Sequence, residues 1–416
     1  MRAANMQFPL RICDLSFLGI YWLLFISLIS AFPAATFPDQ FDHALPSERG
    51  DLTTEHNIAR RAAIELEEWK IYQKYRERAE DFPQPPFPTK LVQGTTKATR
   101  RTDPNDRRHE LYTFGDQTVT VTDIMLGKGA DGVVYKGTRR EKSVAVKVSS
   151  DPHLLQAGAY MQSLKDSPNI MKQLELFRGE SIGPNEKGVR EENYFQVLPL
   201  IDGNLSGWLE QTSDDDWQEY HKTIAQQALQ GLVDMHKKGI AHRDYKPGNI
   251  FFRMDGGKPE VFVADLDRAT DQSTSSEVRT GTKGYTPLEY MIGPSYDTRK
   301  GDTSGAAMAM LQLLFARRVP KKKIPSLGYP VTLWKAILDA QSTKSKWPKY
   351  RKETSAARIK RKVLKSDKFE YLLPGMNEEE ELADVFSRAL CLQDERLTVE
   401  QFMNQLLPLL PLNPCS

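Results

Sequence analysis

Cysteine is nearly absent from this 416-residue chain, which holds only Cys13, Cys391 and Cys415. With so few thiols, neither a disulfide framework nor a Cys-ligated metal site can be argued. Internal repeats and low-complexity segments are missing too, which excludes solenoids and fibrous assemblies. An excess of one charge sign is also lacking: 57 Lys and Arg face 55 Asp and Glu, a formal net charge of +2. That balance hides an asymmetry. From Arg317 to Lys368 stand 17 Lys or Arg and three acidic residues, so the rest of the chain is net acidic. The length and the 39% apolar content allow one large domain or two ordinary ones with a sizeable core.

Long apolar runs are scarce, with one exception. Residues 15 to 32, LSFLGIYWLLFISLISAF, carry no charge and follow Arg2 and Arg11. This is the pattern of a secretory signal, with Ala31 or Ala35 as the last residue removed. An uncleaved signal anchor is the alternative, since the run sits at the lower limit for spanning a bilayer. Either way residues 36 onward are expected on the secretory route. The tripeptide Asn204-Leu205-Ser206 is a candidate glycosylation acceptor that chance alone can supply.

Residues 36 to 111 read as an extension. Ile58, Ala62, Leu66, Trp69 and Tyr72 recur at helical spacing, so one amphipathic helix is expected over 53 to 80, capped by Asp51 or Thr53. FPQPPFP, residues 82 to 88, favours an extended linker. Lys90 to Glu110 is polar with little periodicity and reads as a mobile connection. Its Arg100-Arg101 and Arg107-Arg108 pairs are then solvated linker charge or processing sites. From residue 112 to about 410 the texture changes to strand-like alternation followed by helices, one domain, with 411 to 416 a short tail.

Five constellations in that domain carry chemistry. LGKGADGVVYKG, Leu126 to Gly137, has glycines at 127, 129 and 132, and SVAVKV follows, ending at Val148. A dinucleotide fingerprint needs a helix after its glycines. Here the following residues are β-type, so the loop joins two antiparallel strands and Lys147 lies on the next one. AHRDYKPGNIFF crowds His242, Arg243, Asp244, Lys246 and Asn249 ahead of an apolar run. VFVADLD delivers Asp265 from a buried strand, GTKGYTPLE spans Gly281 to Glu289, and Asp302 and Arg396 complete the set.

In this order the motifs resemble those of a eukaryotic protein kinase, over roughly residues 119 to 409. GKGADGVV resembles the Gly-rich loop, VAVK the lysine strand and HRDYKPGN the catalytic loop, while DLD stands where DFG is usual and PLE where APE is usual. The resemblance implies an α+β, bilobal fold, with a small β-rich lobe and a larger helical one. It implies ATP bound by Leu126, Gly127, Lys128, Gly129, Ala130, Asp131, Gly132, Val134, Ala145 and Val197, with Lys147 on the α- and β-phosphates. Asn249 and Asp265 would hold Mg²⁺, a cation that takes oxygen donors. Asp244 would orient or accept the proton of the attacking hydroxyl. Lys246 marks the serine/threonine rather than the tyrosine type. Arg243 would pair with a phosphate on Ser273, Thr274, Ser275, Ser276 or Thr280 and order that segment. Glu289, Arg396 and Asp302 resemble structural anchors.

Three departures stand out. Ser149 to Lys165 contains no glutamate to pair with Lys147; the position falls near Ala157 or Gly158, leaving Gln156, Asp265 or the nucleotide as partner. Asp267 replaces a glycine, adding a carboxylate and removing glycine's backbone freedom. The bulky aromatic usual after Asp302 is missing. A catalytically silent member serving as a nucleotide-binding scaffold is the alternative reading, and a small-molecule kinase the third. The acceptor would be a Ser or Thr of a protein. The basic region 317 to 368 could dock an acidic protein or anionic lipid. Specific nucleic acid is not expected, because its aromatics are too sparse to stack bases, and the chain is expected to be a monomer. Signal, helix and compact domain together also resemble the layout of secreted parasite kinases such as the rhoptry kinases.

Overall fold

A computed structural model describes residues 89–129, 131–183, 188–275, 281–287, 289–292, 295–319, 328–342 and 354–411. The apolar run, the helix expected over 53 to 80, the proline-rich stretch, Ala130, Ser276, Thr280 and most of the tail lie outside them.

The first half runs from a short helix α1 (Thr89–Gly94) through β1 (Thr99–Thr102), β2 (Glu110–Phe114), β3 (Gln117–Lys128), β4 (Val133–Arg139) and β5 (Lys142–Ser149) to helix α2 (His153–Ser163), β6 (Glu175–Glu180) and β7 (Glu192–Pro199). The strands form one antiparallel sheet in the order β1-β2-β3-β4-β5-β7-β6. Strand alternation sorts the side chains. Val144, Val146 and Val148 of β5 turn to one face and meet Tyr112, Val119, Val121, Phe177 and Phe195 in a separate core. Phe177 and Phe195 stack with centroids 4.8 Å apart, worth about 0.5–1.5 kcal/mol beyond the area they bury. The sheet curls until its two ends meet: Ala98 N–H donates to Arg178 O at 2.8 Å and Arg178 N–H to Thr96 O at 3.0 Å. Both edges are thereby covered.

This corrects the expectation for residues 90 to 110. Thr99–Thr102 is a strand of the sheet, and Arg100 is neither linker charge nor a processing site. Its guanidinium is 14% exposed and pairs with Glu110 at 2.6 Å and Glu180 at 3.2 Å. Four residues are too few for periodicity to reveal a strand whose pairing partner supplies the structure.

The second half continues with β8 (Gly203–Asn204), α3 (Leu205–Gln211), α4 (Asp214–Lys237), β9 (Ile250–Asp255), β10 (Lys258–Val263), β11 (Thr274–Ser275), α5 (Glu289–Ile292), β12 (Tyr296–Asp297), α6 (Thr298–Phe315), α7 (Tyr329–Ser342), α8 (Ser355–Ile359), α9 (Glu380–Leu390) and α10 (Val399–Leu406). The α+β, two-lobed expectation holds. Ser213 caps α4 by accepting from Asp216 N–H, and Asp214, Asp215 and Asp216 in its first turn suit the helix dipole. Its buried stripe, Trp217, Ile224, Ala228, Leu232 and Met235, recurs at helical spacing against the core. Helix α6 is buried almost all round. Small residues make that possible: a Cβ on Gly301 would lie 2.1–2.3 Å from the Tyr290 phenol, and one on Gly305 would lie 3.0 Å from Tyr245 O.

Asn204 Oδ1 caps α3 by accepting from Gly207 N–H at 3.1 Å, a structural use for the residue flagged as a glycosylation acceptor. Among the described residues no helix is long and apolar enough to cross a membrane.

Candidate active site

The two halves face each other across a cleft whose roof is β3 to β5. The glycine loop does join antiparallel strands: Lys128 pairs with Val133 and Gly127 with Val134. Gly132 has φ +152°, and a Cβ there would meet Val148 O at 2.5 Å, so only glycine fits. The pleat sends Val134, Ala145 and Lys147 to the cleft face, because Val134 is opposite Lys147 on β5. Leu126 is exposed at the end of β3. Val197 is a correction. It pairs with Val146 and is fully buried in the interior of the sheet, and the neighbouring Leu198, opposite Ala145, shares the cleft face. A one-residue step along a strand reverses the face.

The floor is the loop after α4. Asp302, 2% exposed, accepts from the backbone N–H of His242 and of Arg243, both at 2.7 Å, and contacts His236 Nε2 at 2.9 Å. Ala264 O lies 3.0 Å from His242 Nε2, and Asp244 N–H donates to His242 Nδ1 at 3.3 Å, so Nε2 faces an acceptor and Nδ1 a donor. These bonds hold Arg243 at φ +62°, a left-handed conformation unusual for a side-chain-bearing residue. Asp244 is then presented with both oxygens engaged. Lys246 Nζ donates to its Oδ2 at 2.7 Å, Thr282 Oγ1 donates to its Oδ1 at 2.7 Å, and Lys246 reaches Thr282 Oγ1 at 2.5 Å. Asn249 Nδ2 donates to Asp244 O at 2.9 Å, fixing the amide. Thr282 was not singled out from sequence, although it lies inside the quoted GTKGYTPLE.

Asp265 follows β10 with φ +63°, and its carboxylate meets Lys147 across the cleft. The second partner of Lys147 is Asp267, Oδ2 to Nζ at 2.8 Å. Gln156 does not fill this role among the described bonds. Asp267 lies in the 3₁₀ turn Leu266–Arg268 without a positive φ, so glycine's freedom is not needed there. Burial opposes the ammonium of Lys147, but the two carboxylates outweigh it and raise its pKa. Burial likewise opposes the charge on Asp265, and Lys147 overcomes it, holding that carboxyl below its usual value. One cation cannot fully compensate two anions. Burial, aided by Asp265, therefore pushes Asp267 up to about 6 despite Lys147. The next residue, Arg268, reaches back to the glycine loop and pairs with Asp131 at 3.1 Å. Its carbonyl accepts from Arg243 Nε.

Arg243 thus ties the loop to the start of the segment. Ser273 O accepts from Thr298 N–H at 3.1 Å, and Thr274 and Ser275 form β11 against β12, placing that stretch on the floor side of the site. Glu289 and Arg396 are brought together as expected. Both Arg396 amino groups meet the carboxylate, with Nη2 to Oε2 at 3.2 Å, and Arg396 is fully buried with Nε donating to Cys391 O at 2.8 Å. In the basic region Arg317 pairs with Asp214, and Lys360 and Lys365 with Glu380.

Comparison with known proteins agrees with this geometry. A family model described as protein kinase domain matches residues 121–407. Serine/threonine-protein kinase 36 of Pongo abelii is 30% identical over 190 residues, 43% of this chain and 13% of that protein. Serine/threonine-protein kinase ksp1 of Schizosaccharomyces pombe is 27% identical over 221 residues, 48% of this chain and 45% of that one. Stress-activated protein kinase jnk-1 of Caenorhabditis elegans is 31% identical over 181 residues, 41% and 37% of the two chains. The chain spans half or less of the length of these relatives.

Proposed function

From the premise that the chain belongs to the protein kinase family, we propose that it transfers the γ-phosphate of Mg-ATP to Ser or Thr hydroxyls of a protein. The carrying observation is the triangle of Asp244, Lys246 and Thr282, closed by hydrogen bonds of 2.5–2.7 Å beside Asn249. Phosphoryl transfer asks mainly for positioning and charge neutralisation. Asp244 has its oxygens fixed before a substrate arrives and stands ready to orient the acceptor hydroxyl and take its proton. Lys246 supplies positive charge where the transferred group gains negative charge, and Lys147 does so for the inner phosphates.

The Asp265 carboxylate and the Asn249 amide oxygen are the hard donors Mg²⁺ prefers, so the residues present fit that cation. Bound there, it would neutralise phosphate charge. A silent nucleotide-binding scaffold is the second reading, favoured by the absence of any glutamate on α2. The apolar run before residue 33 supports delivery to the secretory route as part of the same proposal, and the excess of Lys and Arg over acidic residues between 317 and 368 supports an acidic protein or anionic lipid partner.

The test is transfer of radiolabelled phosphate by the full chain to a mixed protein substrate, beside Asp244→Ala. Labelling of Ser or Thr that vanishes in the variant is expected. Equal labelling by both, or none from folded protein that binds ATP, refutes the enzyme and leaves the scaffold.

A further inference from the structure

We infer that Asp267 is the positioning residue for Lys147, taking over the work that a helix glutamate does in this family; the inference rests on the kinase reading of the site. In protein kinases the strand lysine is held by a glutamate on the helix that follows it. Here that helix is α2, and its face towards the sheet is closed. Ala157 is 1% exposed, and a Cβ added to Gly158 would lie 2.5 Å from Leu176 Cδ2 and 2.6 Å from Gln173 Oε1. The cross-strand neighbour of Lys147 is the neutral Gln196, already donating to Gln173 Oε1 at 3.0 Å. Nothing anionic among the described residues reaches Lys147 from that side.

A buried ammonium needs a counter-charge. Asp265 supplies one, but the same carboxylate is the candidate metal ligand, and oxygens committed to a cation hold an ammonium less well. Asp267 Oδ2 stands 2.8 Å from Lys147 Nζ on a side chain 7% exposed. Its other oxygen is buried without a hydrogen-bond partner, so Lys147 is its principal polar contact. Loss of a carboxylate from α2 and gain of one at position 267 leave the charge around Lys147 unchanged.

The relocation has a mechanical consequence. The metal-binding carboxylate and the partner of Lys147 now sit on a single 3₁₀ turn, Leu266–Arg268, with Asp265 at its N-cap. Lys147 is therefore oriented by the turn that begins the activation segment and not by the angle of α2. The same turn carries Arg268, which pairs with Asp131 and offers its carbonyl to Arg243.

A double-mutant cycle tests the assignment on the full chain with Lys147→Met, Asp267→Asn and both together, each checked for a native melting transition; Asp267→Gly, the residue usual in the family, serves if the Asn variant does not fold. Two readouts run in parallel: steady-state transfer, and the affinity for Mg²⁺ with a non-hydrolysable ATP analogue by calorimetry. Asp267→Asn is expected to lower kcat about 100-fold and to raise KM for ATP several-fold, because a misplaced Lys147 holds the inner phosphates less well. In the Lys147→Met background it should add nothing, because a positioning residue has no effect without its client. A loss from Asp267→Asn that persists in full without Lys147 marks a metal ligand or a structural residue and overturns the inference. So does wild-type kcat in Asp267→Asn. If the wild type binds nucleotide but transfers nothing, the kinase reading fails, and coupling in the affinity cycle still decides the pair: non-additive weakening supports it and additive or absent weakening refutes it.

Discussion

Replacing Asp302 by Asn should disable the site more than it unfolds the protein. The carboxylate accepts the backbone N–H of His242 and of Arg243 at 2.7 Å each and touches His236 at 2.9 Å, on a residue 2% exposed. A hydrogen bond to a buried charged acceptor contributes about 1.5–3 kcal/mol. Asparagine keeps one acceptor oxygen and turns an amide N–H towards the other donor, so one bond is lost and one donor is left unmet, about 2–4 kcal/mol in all. Those two bonds also hold Arg243 at φ +62°, a conformation costing about 1–3 kcal/mol that persists only when its surroundings impose it. Once released, the backbone relaxes and carries Asp244, the next residue, out of register with Lys246 and Thr282. A displacement near 1 Å is enough to cost about 100-fold in rate. Urea unfolding monitored by tryptophan fluorescence gives the stability change, and steady-state transfer gives kcat. An Asn variant within about 0.5 kcal/mol of wild type and with undiminished kcat would show that Asp302 does not set the loop.

Thr282→Val removes the hydroxyl that bridges Asp244 and Lys246 at nearly constant volume; kcat should fall about 10- to 100-fold with KM for ATP unchanged, and Thr282→Ser should retain most of the rate. Arg100→Ala leaves Glu110, only 10% exposed in its side chain, without its 2.6 Å partner, and should cost about 2–3 kcal/mol, seen as a lower melting temperature if β1 belongs to the sheet. His221 stacks on Trp217 at 4.3 Å, and burial, with Arg318 nearby, lowers its pKa below the unfolded value of about 6.5. The unfolded chain therefore takes up the proton first as pH falls, so this contribution is present above about pH 6.5 and is lost below it. Melting curves from pH 7 to 5 should show the wild type losing more stability than His221→Phe, and parallel losses would refute the assignment.

The fold was legible where chemistry and periodicity coincide. The glycine loop between strand-like runs, the buried run ending at Asp265 and the long stripe of α4 all carry their pattern in a few consecutive residues, and the structure follows them. Residues 90 to 110 did not carry one. Thr99–Thr102 is a strand because β2 lies beside it and because Arg100 finds Glu110 and Glu180, residues far apart in the chain. Val197 failed for a related reason. Val197 and Leu198 are adjacent and both apolar, so composition does not tell them apart, and the register against β5 shows that Val197 turns to the core and Leu198 to the cleft.

In the site, residue types were legible and partnerships were not. Asp244, Lys246, Asn249, Lys147 and Asp265 announce themselves by spacing, whereas the bond from Thr282 to Asp244 depends on how the segment folds back. Asp267 is the instructive case. In sequence the missing glutamate near Ala157 and the extra carboxylate at 267 stand as two separate departures. Electrostatics makes them one change. Lys147 is buried and cannot stay charged without an anion beside it, so a sequence that keeps the lysine while discarding its usual partner must supply another. The only unaccounted acidic residue next to a known site position was Asp267, and the 2.8 Å contact lies where that reasoning leads.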